Sequence, residues 1–130
     1  MIAGLQTIVL FVSDVERAAR FYRDQLGLEQ VYESDGRLAL RCGSVRLLLH
    51  PTEEPARGVS NVELYFQVDG VDAAVSRLRA EGVGVLLEPT DDPWGERNAG
   101  ILDPDGYPVY LTESLESSWI RQTTALEDRR

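Results

Sequence analysis

The sequence predicts an α+β fold in which two βαβββ modules form a cup-shaped, curved mixed sheet. Three observations lead there: the order of strand and helix signals, an internal repeat of that order, and a length of 130 residues that suits one domain made of two half-domains. The expected organisation is one domain over residues 1–113, with module one at about 5–50 and module two at about 61–113. Residues 114–130 are read as a tail or short helix.

The first module begins at Leu5–Val12, a run of β-branched and aromatic residues bounded by Gly4 and by Ser13-Asp14. Ser13 or Asp14 supplies an N-cap. Val15, Ala18, Ala19, Tyr22 and Leu26 then recur at helical spacing, and Gly27 closes the helix. Three short strands are expected at Leu28–Glu33, Arg37–Arg41 and Val45–His50, separated by turn signals at Ser34-Asp35-Gly36 and at Gly43.

An offset of 56 residues lays Val12 on Val68, Val15 on Val71, Ala18 on Ala74 and Arg23 on Arg79. An offset of 55 then lays Gly27 on Gly82 and Glu33 on Glu88, and an offset of 63 lays Gly43 on Gly106. The second module is therefore read as strand Asn61–Val68, helix Val71–Glu81, and strands Val83–Glu88, Arg97–Asp103 and Tyr107–Thr112. Pro51–Gly58 is the expected linker. Four-stranded half-sheets leave open edges and a bare face, so they should curve toward each other within one chain or across a dimer. A cleft between concave sheets is then the natural binding site.

Composition narrows the function. Acidic residues outnumber basic ones 22 to 13, for a net charge of −9, which is the wrong balance for neutralising nucleic-acid phosphates. The apolar run Ile8–Val12 is too short for a signal-peptide core or a membrane span, so neither nucleic acid nor membrane is an expected partner and the expected location is cytoplasmic. Cys42 is the only cysteine and has no neighbouring His or Lys to activate it. His50 is the only histidine, so a multi-histidine metal site within one chain is excluded by count.

The phrases LQTIVLFVSDVERAARFYRDQLGLEQV and DPWGERNAGILDPDGYPVYLTE resemble the vicinal oxygen chelate superfamily of glyoxalases, bleomycin-resistance proteins and extradiol dioxygenases. The resemblance spans about residues 5–113 and is nearest the bleomycin-resistance type at the Pro93-Trp94-Gly95 turn. It implies paired βαβββ modules around a cup and a homodimer. It also implies a metal site drawn from the first and fourth strands of each module, here Thr7, Leu47, Glu63 and Tyr110. Only Glu63 among them is a good donor, so no metal and no other cofactor is expected.

Strand alternation then assembles a wall from Thr7, Val9, Phe11, Leu47, Leu49, Glu63, Tyr65, Gln67 and Tyr110, with Trp94 on a loop beside it. Mostly apolar and aromatic with a few polar handles, this wall either lines a ligand site or fills the cup as core. His50, three positions after Leu47, is expected on the opposite face from it. The leading expectation is a metal-independent protein that sequesters a bulky aromatic or cationic natural product, with Glu63 answering positive charge. The alternative is a glyoxalase-like lyase or isomerase, metal-dependent through other ligands or using Glu63 as a general base.

Overall fold

In the computed structural model the chain is described at residues 5–54, 62–93 and 95–115. Contacts divide it into two compact units. The first holds residues 1–58 with the turn 104–107, and the second holds residues 59–103 and 108–130.

In the first unit, β1 (Thr7–Val12) leads into α1 (Val15–Ala19), which continues without a break as a π-helical turn over Arg20–Gln25. Strands β2 (Glu29–Ser34), β3 (Arg37–Cys42) and β4 (Val45–Pro51) follow, and the sheet order is β1-β4-β3-β2. β1 runs parallel to β4, and the other two pairings are antiparallel. Asp14 caps α1 by accepting the Arg17 backbone N–H at 3.1 Å. Ser13 N–H and Oγ–H both donate to the Asp105 carboxylate, and Arg17 donates to the Pro104 carbonyl. Those bonds tie the outlying turn 104–107 to the start of α1.

A uniform helix is the sequence expectation between Asp14 and Gly27. Its second half is instead wound more widely, with Leu26 N–H donating to the Phe21 carbonyl at 2.9 Å. The wider turn lets two adjacent rings share the buried face: Phe21 and Tyr22 are both buried and meet edge to face at 4.8 Å.

The second unit repeats the plan. β5 (Leu64–Gln67), α2 (Val71–Ala80), β6 (Val85–Asp91), β7 (Glu96–Leu102) and β8 (Pro108–Ser114) form a sheet in the order β5-β8-β7-β6, with β5 parallel to β8. Pro89 lies in β6, which is an edge strand with two register shifts, where a missing N–H is tolerated. The helix-ending glycines of the repeat, Gly27 and Gly82, share a φ of 86°, a left-handed conformation that L side chains adopt at a cost.

Each unit has its own core on the helix-bearing face of its sheet. Leu10, Val12, Leu38, Leu40, Leu47 and Leu49 pack with Ala18, Ala19, Phe21 and Tyr22 in the buried set of the first unit. Leu64, Ala99, Ile101, Val109 and Leu111 do so with Val71, Val75 and Leu78 in the second. The other face of each sheet carries the exposed large side chains.

Candidate functional site

Alternation along β1 buries Leu10 and Val12 and leaves Val9 and Phe11 to solvent, with Phe11 at 55% exposure. Parallel pairing with β4 sets Thr7 opposite Arg46, Val9 opposite Leu48 and Phe11 opposite His50. Thr7, Val9 and Phe11 therefore share the open face with Arg46, Leu48 and His50. The expectation that Leu47 and Leu49 belong to this wall is overturned: they are 3% and 0% exposed and point into the helix-side core.

The physical reason is a one-residue slip, which in a strand exchanges the two faces. The 63-residue offset, read from Gly43 on Gly106, lays Leu47 on Tyr110. The ladder gives a different equivalence. Val9 pairs with Leu48 and Tyr65 pairs with Tyr110, so the first-unit counterpart of Tyr110 is Leu48. His50 does lie on the opposite face from Leu47, and that face is the open one, where its ring stands 5.1 Å from Phe11. Further along, Arg46 lies over the Tyr32 ring with 5.6 Å from the guanidinium carbon to the ring centre.

In the second unit the expected residues Glu63, Tyr65, Gln67 and Tyr110 do come together on one face. Tyr65, 53% exposed, and Tyr110 stack nearly parallel, with centroids 4.8 Å apart and planes 16° apart. Burial, reinforced by the Glu63 carboxylate, pushes both phenols above the ordinary tyrosine value, so both are neutral donors at neutral pH. Gly100 pairs with Tyr110 on β7, and a Cβ there would meet Leu87 Cβ at 3.2 Å and Tyr110 Cε1 at 3.3 Å. The missing side chain is what lets the Tyr110 ring lie across β7.

Beside the tyrosines is a polar cluster that the sequence reading missed. Asn98 pairs with Thr112, and Thr112 Oγ–H donates to the buried Glu96 carboxylate at 3.2 Å. The Asn98 amide donates to Asp92 at 2.8 Å, which fixes its orientation and leaves Oδ1 buried without a hydrogen-bond partner among the described residues. The signal for this cluster was present as the period-2 partners of Tyr110 across the β7–β8 ladder, but those partners exist only once register is known.

Trp94 lies outside the described residues, as does the tail over 116–130. Cys42 is half-buried, and burial pushes its thiol above the ordinary value. The metal positions implied by the family resemblance do not make a donor set: Leu47 is in the core, its ladder-corrected replacement Leu48 is aliphatic, and Thr7 and Tyr110 are weak ligands. Among the described residues no three His, Cys, Asp or Glu side chains gather as a metal site. No helix among them is long and apolar enough to cross a membrane.

A repeated βαβββ unit with one helix-covered and one open sheet face defines a repeated-module α+β protein. The chain belongs to the Glyoxalase/Bleomycin resistance protein/Dioxygenase superfamily, which it matches over residues 4–111. It is 28% identical to the bleomycin resistance proteins of Geobacillus stearothermophilus and Staphylococcus aureus over 87% of this chain and 99% of theirs. Among solved structures it resembles TnmS3, an antibiotic binding protein from Streptomyces sp. CB03234, with 31% identity, 87% and 97% of the two chains covered, and a TM-score of 0.73. A lactoylglutathione lyase from Agrobacterium tumefaciens superposes with 26% identity, 87% and 95% coverage and a TM-score of 0.70.

Proposed function

We propose that this protein binds and sequesters an antibiotic-like small natural product without a metal, holding an aromatic part of it against the open sheet face of the second unit. The observation that carries this reading is the stacked, half-open Tyr65–Tyr110 pair, a flat π surface that a planar ligand extends at little entropic cost because the rings are already fixed on strands. Glu63 beside it and the orphaned Asn98 Oδ1 are acceptors, which favours a ligand with a cationic or N–H-bearing group. The bleomycin resistance relatives and the antibiotic binding neighbour support the same class of ligand. Homodimerisation and a cytoplasmic location complete the proposal, and Thr7, Val9 and Phe11 on the open face of the first unit are proposed as separate ligand contacts.

The test is titration with bleomycin, followed by calorimetry, beside metal analysis of the purified chain. Saturable binding with no stoichiometric metal is the expected result, and Glu63→Gln should weaken it while leaving the fold intact. About one zinc, manganese, nickel or iron per chain, required for binding, would overturn the metal-independent part. Bleomycin and a panel of planar cationic and neutral natural products all failing to bind would overturn the sequestration reading.

A further inference from the structure

The first unit holds a cavity of its own. At the β3–β4 hairpin a cavity of about 350 Å³ is lined by Gln6, Val31, Arg41, Gly43, Ser44, Val45 and Arg46. That volume is at the lower end of the range for small-molecule sites. Arg41 and Arg46 are direct cross-strand partners. Two like charges placed opposite each other repel, and this happens in a chain whose net charge is −9 and whose acids are abundant.

The repulsion is only weakly answered. Arg41 meets Glu29 at 3.6 Å with both side chains largely in solvent, where such a pair contributes little. Arg46 has no carboxylate partner among the described residues and lies instead over the Tyr32 ring. We infer that the Arg41/Arg46 cavity is a binding site for a small organic carboxylate. Its oxyanion would sit between the two guanidinium forks, and its apolar body would lie against Val31.

A guanidinium fork binds a carboxylate through two parallel charge-assisted hydrogen bonds, and an anion between two such forks converts their repulsion into two attractions. Ser44 and Gln6 add polar groups to the lining, and Val31 selects for an organic body over an inorganic oxyanion. None of the residues of this site is among the contact residues of the antibiotic-binding reading.

The experiment is NMR and calorimetric titration of the full chain with benzoate, its neutral isostere benzamide, and inorganic phosphate. Benzoate should bind saturably and shift the amides of Ser44, Val45 and Arg46. Benzamide should not bind, and phosphate should bind more weakly than benzoate. Arg41→Gln and Arg46→Gln should each weaken benzoate at least about tenfold, Arg46→Lys should recover only part of the loss, and added salt should weaken the wild type more than either Gln variant. Both arginines are solvent-accessible, and far-UV circular dichroism checks that the variants fold. Four results would each overturn the inference: no saturable benzoate binding, unchanged affinity in the double Gln variant, benzamide binding as well as benzoate, or phosphate binding as well as benzoate.

Discussion

The two modules share one topology and differ in what their open faces offer. The first presents Phe11, His50, Leu48, Tyr32 and two opposed arginines. The second presents a stacked tyrosine pair with Glu63, Gln67 and Asn98, beside the buried Glu96 and Thr112. One face is aromatic and cationic, and the other is aromatic and rich in acceptors. Their helices differ too: α2 is a regular ten-residue α-helix, whereas α1 widens into a π turn. In both modules the repeated arginine reaches from helix to strand, Arg23 to Gln30 and Arg79 to Glu88. The two modules share the frame, an apolar core and the helix-ending glycines, and their open faces differ in chemistry. That teaches where selection for a ligand can act without unfolding the module, because solvent-facing strand positions carry little of the packing energy.

The sharpest way to break the comparison is through the cores. Tyr22→Ala should cost about 3–5 kcal/mol, at the upper end for a buried aromatic, because it removes the ring around which the π turn is wound. Leu78→Ala on α2 should cost about 2–5 kcal/mol, without altering helix type. Chemical denaturation measures both. A Tyr22→Ala cost below that of Leu78→Ala would mean that the π turn serves something other than ring burial.

Next in size is the glycine that seats Tyr110. Gly100→Val should destabilise by about 1–3 kcal/mol through overpacking against Leu87 and Tyr110, and should reduce the near-ultraviolet tyrosine signal as the stack opens. The matching position of the first module, Ala39, pairs with Leu48 and already carries a Cβ. An intact stack in Gly100→Val would break the link between the glycine and the ring.

For ligand binding, Tyr110→Ala should weaken bleomycin by about tenfold, and Phe11→Ala in the first module should weaken it less. Equal losses would erase the distinction between the faces, and a larger loss at Phe11 would move the ligand to the first unit.

The smallest effect is in titration. Both Tyr65 and Tyr110 have folded-state pKa values raised above the unfolded one by burial and then by Glu63. Their contribution to stability is therefore fully present below the unfolded tyrosine value of about 10 and is lost as pH rises through the folded values. Spectrophotometric titration should show a late-ionising tyrosine fraction, and Glu63→Gln should bring part of it earlier. No change in that variant would remove Glu63 from the electrostatics of the pair.

By itself the sequence determined the order of elements, the duplication and most boundaries. Those depend on local chemistry: β-branched runs such as Thr7–Val12, the Asp14 cap, and glycines at positions that need a left-handed backbone. It also placed Glu63, Tyr65, Gln67 and Tyr110 together, because β5 and β8 were phased correctly. Tertiary structure alone decided the face of β4, where Leu47 and Leu49 went to the core and Leu48 and His50 to the open side, since Val45–Leu49, apolar except for Arg46, carries no alternation to read. It likewise decided the π turn, the Asn98 Oδ1 left without a partner among the described residues, and the opposed pair Arg41 and Arg46. Each of these depends on which residue stands across a ladder or beneath a ring, and cross-strand register is fixed by long-range pairing that no local pattern encodes.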